Sequence, residues 1–303
     1  MASLLTPEDL DHYLEYISLP NRYRGHPADL ELLSNLQLYH ICAIPYENLG
    51  LHYAKDIDIS LDVQEIFRKC TSNGRGGYCM ENTIFFNHVL RSLGFNAYVT
   101  GARARPRVND VPQGDYTGWM HVVNIVKLDD GTRYMVDVGF GGDLATKPLP
   151  LIPGRVTLNL GTQEVRLDFD KIPHMFSDQK LWIYQYRNSP TQPWNASFCF
   201  TEIEFLPQDL EVMNFYTSRS TTCFQTFTLL VVKFLRRGDE LYGKRMLVNS
   251  DVKENLGGTT NLIRKCGSEE ERITALREMF GIVLTEEEAW GIKGRVTEIT
   301  NPK

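Results

Sequence analysis

The sequence predicts an α+β protein, helical to about residue 95, strand-rich to about 210 and mixed thereafter. Three observations carry this. Leu30, Leu33, Leu36 and Ile41 keep roughly helical spacing in the first third. From Asn96 the pattern changes to short runs rich in Val, Ile, Tyr and Phe. After Pro207, strand-like runs at 224–234 and 245–248 precede a charged helical stretch at 269–279. There are no repeats and no low-complexity tracts.

The elements follow in order. Thr6-Pro7-Glu8-Asp9 is a cap followed by proline at the first helical position, with acids in the first turn. A second helix is expected at 61–69 behind a Ser60 cap. A third runs unbroken through Ile84, Phe85, Val89 and Leu90, from 79 to 93, and stops at Gly94. Strands are expected at 98–103, 121–128, 134–138, 155–159, 164–169, 181–186 and 197–204. Asp129-Asp130-Gly131 reads as a three-residue hairpin loop with glycine for the left-handed position. That loop pairs Leu128 with Thr132, so Asp137 falls opposite Val123, on the same face as His121. Such diagonal neighbours have Cα atoms about 7–8 Å apart. A two-residue turn would shift the register by one and turn Asp137 to the other face.

Bulk properties exclude several classes. The 303 residues suffice for two or three packed units, and 42% hydrophobic with 23% charged content is ordinary for a soluble globular protein. A net charge of −6 argues against general nucleic-acid binding, which needs a basic surface. No apolar run reaches the length of a membrane span, and the first residues lack the basic start and apolar core of a secretory signal. The six cysteines are scattered without a CxxC pair, which suits reduced thiols in the cytoplasm better than disulfides or a metal site. No phosphate-loop glycine pattern occurs.

The most informative stretch is Arg75-Gly76-Gly77-Tyr78-Cys79-Met80-Glu81, which sets one thiol between a flexible, glycine-containing loop and a helix start. There the backbone N–H groups and the helix dipole are expected to lower its pKa. His121 and Asp137 follow in chain order. Cysteine, histidine and carboxylate are the parts of an activated-thiol triad. Cys79 is the candidate nucleophile, His121 the proton acceptor and Asp137 the group that holds the ring and stabilises its cation. An acid within an apolar strand needs a partner, and His121 is the nearest candidate. The other five cysteines read as buried small hydrophobes. Trp119, Met120 and Phe140 suit either the lining of an acceptor pocket or core packing. Arg103, Arg105 and Arg107 are either solvated loop charges or contacts to a phosphate or carboxylate of a substrate.

These motifs resemble the arylamine N-acetyltransferases. Residues 75–81, the His121 segment and Asp137-Val-Gly-Phe-Gly look like three signatures of that family. Ile44-Pro-Tyr-Glu-Asn-Leu49 and Met213-Asn-Phe-Tyr-Thr-Ser218 resemble two more. Tyr78 and the segment 101–107 are more similar to fungal members than to vertebrate ones. The resemblance implies three domains: a helical bundle over 1–95 carrying the nucleophile, a β-barrel-like domain over 96–210 carrying His121 and Asp137, and an α/β lid over 211–303. Together these form a cysteine-protease-like Cys-His-Asp core. It implies a buried Glu47–Arg75 pair fixing the nucleophile loop. It also implies donor contacts at Thr117, Gly118, Tyr216 and Thr221. The expected activity is ping-pong transfer of an acetyl, propionyl or malonyl group from acyl-CoA, a co-substrate and not a bound cofactor, to an arylamine or hydrazine. A thiol hydrolase or transglutaminase-type enzyme shares the order of the triad and is the alternative; papain-like peptidases place their histidine much further downstream.

Overall fold

Local capping starts most of the helices in the computed structural model, which describes residues 5–72 and 74–300. The leader reading at residues 1–4 lies outside the described residues. Thr6 accepts from Asp9 N–H at 3.1 Å and Asp9 from Thr6 N–H at 3.0 Å, with Pro7 opening α1 (Pro7–Tyr16). Asp29 caps α2 (Leu30–Ala43) through Leu32 N–H. A two-residue strand, β1 (Tyr46–Glu47), and a single turn, α3 (Gly50–Tyr53), follow. The helix expected at 61–69 is α4 (Val63–Cys70): Asp62 and not Ser60 is its cap, accepting from Glu65 N–H at 3.0 Å, because Ser60 takes the N–H of Asp62 itself. The helix α5 (Cys79–Ser92) is buried on almost every side and ends ahead of Gly94, whose φ is +88°.

The chain then turns into β2 (Asn96–Ala104), a side hairpin of β3 (Arg107–Val108) and β4 (Val111–Pro112), β5 (His121–Lys127) and β6 (Arg133–Val136). Next come β7 (Leu149–Pro150), β8 (Thr157–Leu158), β9 (Glu164–Asp170), β10 (Leu181–Arg187) and β11 (Asn195–Phe200). Eight of these form one antiparallel sheet in the order β7-β6-β5-β2-β11-β10-β9-β8. A Gly154 N–H bond to Leu167 O at 2.7 Å carries the chain after β7 onto β9, so the sheet curls into a nearly closed barrel. Its interior holds Val123, Ile125, Tyr184, Phe198 and Phe200. Val99, Val122 and Val126 face the other way and join the core around α5. The hairpin register is the expected one: Lys127 pairs with Arg133 and Asn124 with Val136, and Gly131 has φ +84°. Two strand expectations were too long, since 155–159 yields only β8 and 197–204 yields β11 with its end at Phe200.

The last third departs most from expectation. A helix, α6 (Pro207–Arg219), begins at Pro207 and runs through residue 210. The run at 224–234 is not one strand: Phe224–Thr226 is a 3-10 turn, and β12 (Leu230–Arg237) starts after it. Then come β13 (Glu240–Val248), β14 (Asp251–Asn255) and β15 (Thr260–Lys265), in a sheet ordered β1-β12-β13-β14-β15. The first strand of that sheet thus comes from the helical region, beside the nucleophile loop. The helix expected at 269–279 is α7 (Glu269–Ala275), which passes into a π turn over Leu276–Phe280, and α8 (Glu286–Gly291) follows. No described helix is long and apolar enough to cross a membrane.

Candidate active site

Cys79 is the first residue of α5, and the loop before it is packed, not flexible. Glu47 N–H donates to Gly77 O at 2.9 Å, and Asn82 Nδ2 donates to the same carbonyl at 2.9 Å. A Cβ on Gly76 would come within 1.9 Å of Pro45 O, so only glycine fits there. Arg75 Nε meets Glu47 Oε1 at 2.9 Å, and Glu47 Oε2 accepts Leu49 N–H at 2.7 Å. Burial alone raises the Glu47 carboxyl, but Arg75 and Lys69 outweigh it and hold it at about 2. Arg75 also bonds Glu288 on α8. Lys69 bonds Glu81 Oε1 at 2.7 Å, and Glu81 Oε2 takes the N–H of Tyr78, ahead of Cys79. Lys69, Glu81 and Glu288 escaped sequence reasoning; only the position of Glu81, three residues after the helix cap, signals a capping role.

His121 and Asp137 stand on the barrel side of the site. Asp137 Oδ2 lies 2.9 Å from His121 Nε2, and both side chains are buried. With Asp137 as the acceptor of this bond, Nε2 carries the proton and Nδ1 keeps its lone pair. Asp137 Oδ1 takes Gly139 N–H at 2.8 Å, and Gln37 Nε2 donates to Asp137 O at 3.0 Å and Ala145 O at 2.6 Å. Gln37 lies a hundred residues away on α2, so no local pattern marks it. Phe140 and Phe198 set ring centroids 4.9 and 5.2 Å from the imidazole. The two halves touch. Cys79 Sγ donates to Met120 O at 3.6 Å, and Thr83 Oγ1 donates to Val122 O at 3.3 Å. Any Cβ on Gly139 would come within 2.8 Å of Cys79 Cα.

One electrostatic expectation is overturned. Burial pushes the Cys79 thiol up, with Cys223 and Asp137 adding repulsion, and the N–H groups of Met80 and Cys79 at the helix start only partly offset it. The other five thiols are raised by burial as well, and all six are free and buried. A water-excluded site disfavours a lone thiolate, so negative charge on Sγ requires the proton to have a receiver beside it.

The remaining expected contacts are placed as follows. Trp119 lies under the Arg103 guanidinium at 3.9 Å and edge-on to Phe205, so it packs on the outer barrel wall. Thr117 Oγ1 donates to Ala104 O at 3.0 Å, and Gly118 is exposed. Tyr216 is exposed on α6, with its hydroxyl 3.1 Å from Thr222 and not from Thr221, which is exposed. Tyr78 OH turns to α6 and meets Asn214 and Thr217. Each of the three arginines has a partner within the chain: Arg103 lies over Trp119, Arg105 Nε donates to Gly114 O at 2.9 Å, and Arg107, still exposed, meets Asp143 at 2.6 Å. Lys244 joins Asp143 at 3.1 Å, tying β13 to the loop after Asp137.

Comparison with known proteins finds relatives of nearly the whole chain. A family model described as N-acetyltransferase matches residues 29–289. The N-malonyltransferase FDB2 of Fusarium pseudograminearum is 36% identical, over 93% of this chain and 91% of that protein. The solved arylamine N-acetyltransferase from Salmonella typhimurium is 26% identical with a TM-score of 0.79, covering 95% of this chain and 98% of that one. The fold is also that of Mycobacterium marinum arylamine N-acetyltransferase in complex with CoA, with a TM-score of 0.77 at 23% identity over 96% of this chain and 99% of that one. The chain belongs to the arylamine N-acetyltransferase family.

Proposed function

We propose that the protein moves an acyl group from a coenzyme A thioester to an arylamine or hydrazine nitrogen, by way of an acyl thioester on Cys79. Membership of the family makes it an acyl-CoA-dependent N-acyltransferase; the roles of the individual residues are our reading. The observation that carries them is the 2.9 Å His121–Asp137 bond beside a thiol at the head of a buried helix. His121 takes the Cys79 proton on Nδ1 as Sγ attacks the donor carbonyl, so the charge formed is a pair and not a lone thiolate. Asp137 steadies the imidazolium through Nε2. The new bond joins Sγ to the acyl carbon, the old carbon–sulfur bond to coenzyme A breaks, and His121 returns its proton to the departing thiolate. An amine then attacks the acyl-enzyme, passing its proton through His121 to Sγ. Glu47 and Arg75 hold the nucleophile loop without touching substrate. Thr117, Gly118 and Tyr216 are proposed donor contacts, with Thr222 in place of Thr221. Phe140 beside His121 is the proposed wall of the acceptor site.

The likeness to a protein named N-malonyltransferase favours malonyl-CoA over acetyl-CoA as donor. The six free thiols suit a reducing compartment such as the cytoplasm. Initial rates at varied donor and acceptor test the scheme. Double substitution through Cys79 gives parallel reciprocal lines, whereas lines that converge mean direct transfer in a ternary complex. The same assay run with acetyl-, propionyl- and malonyl-CoA ranks the donors, and a higher kcat/KM for acetyl-CoA contradicts the malonyl preference.

A further inference from the structure

One cavity opens away from Cys79, which does not line it. About 350 Å³ of space lies outside the barrel wall, between residues 116–119 and the loop after β9. Ala102 and Ala104 point into the barrel, so Arg103 between them points out and into this cavity. Its guanidinium carbon lies over the Trp119 ring, 3.9 Å from the centroid, with Nη1 donating to Thr117 O at 3.2 Å. The other N–H groups of Arg103 have no hydrogen-bond partner among the described residues. Tyr116, Trp119 and Met175 supply aromatic and thioether walls, and Thr201 and Gln179 supply polar edges. No Asp or Glu is among its lining residues. The volume is in the range of small-molecule sites.

We propose that this cavity binds a planar aromatic group bearing an anionic substituent, the ring against Trp119 and Tyr116 and the anion on the free edge of Arg103. A guanidinium held over an aromatic face keeps its unbonded N–H groups for an oxyanion, and the ring contact holds them in place. The inference rests on the acyl-transfer reading for the source of such a ligand. That reading offers two: the adenine nucleotide end of the donor, or a carboxylated arylamine acceptor. Trp119 precedes Met120, whose carbonyl takes the Cys79 thiol, so the cavity borders the segment that leads into His121.

Calorimetric titration of the intact protein with two probes tests it: adenosine 3′,5′-bisphosphate and 4-aminobenzoate, each beside its neutral counterpart, adenosine and 4-aminobenzamide. At least one anionic probe should bind about tenfold or more tightly than its counterpart, and Arg103→Gln should remove that difference. Binding of the bisphosphate assigns the cavity to the donor nucleotide, and binding of the benzoate assigns it to the acceptor. Ile203→Trp, which fills the cavity from its exposed rim, should abolish binding of the same probe and covers the case in which Arg103→Gln does not fold. Failure of both probes to bind, equal binding of the neutral counterparts, or binding unchanged in both variants overturns the proposal. No acyl group is present in these titrations, so a failure of the Cys79 mechanism would leave their outcome untouched.

Discussion

The two halves of the site are held by different physics. On the nucleophile side, Glu47, Arg75, Lys69, Glu81 and Glu288 form a chain of charges around the loop before Cys79, the first two and Glu81 buried and Lys69 and Glu288 partly exposed. On the barrel side, the imidazole and its carboxylate are held by strand register, backbone N–H groups, the Gln37 amide and two phenylalanine rings. A charge network is unforgiving, because removal of one partner strands the other in a medium that cannot solvate it. A neutral lattice tolerates a lost contact better, and its errors appear in orientation. Damage to the first half should therefore be read in stability and damage to the second in rate.

The largest effect should come from the barrel side. Asp137→Asn keeps an acceptor for Gly139 N–H, but its amide can stabilise the wrong histidine tautomer. Transfer should fall by about 10³–10⁴-fold, with unfolding free energy nearly unchanged. Steady-state rates and a urea titration on one sample check both, and a large loss of stability would erase the contrast. Arg75→Met should do the opposite, costing about 3–5 kcal/mol by leaving Glu47 buried without its main partner. Chemical denaturation measures this, and a variant as stable as the parent would show the pair to be dispensable. Acid should sharpen the contrast by a smaller amount. Glu47 sits at about 2 when folded against an ordinary 4.5, so its contribution is present above 4.5 and lost as pH falls toward 2. The buried His40 is held down at about 3 by desolvation, against an ordinary 6.5. The unfolded chain therefore binds its proton first, and His52 and His88, each held down at about 4 mainly by burial, act in the same sense, so each of the three should remove up to about 1.4 kcal/mol per pH unit below 6.5. Urea midpoints between pH 7 and 5 check this slope, which His40→Gln should reduce by one such share.

Legibility in the sequence followed locality. The His121–Asp137 pairing was readable because a three-residue turn sets the register, and register alone decides which face Asp137 takes. The start of α5 was readable from the glycines and the apolar run after them. Gln37 was not, since its partners are Asp137 and Ala145 and nothing near it in the chain points to them. α6 was hidden because Val212, Phe215 and Tyr216 are exposed apolar residues that blur its buried stripe of Leu210, Met213 and Thr217. β15 was hidden because most of its side chains face solvent, so no alternation marks it. The thiol was misread for a related reason: a helix start is visible in sequence, whereas the depth at which it is buried is a property of the whole fold.

Intact-mass and peptide mapping of the protein after exposure to acyl-CoA without an acceptor tests the central claim most directly. The account predicts one acyl group per chain, on Cys79, stable until an arylamine is added and then discharged with formation of the amide. An adduct on another cysteine, or none in a preparation that still acylates amines, would contradict it.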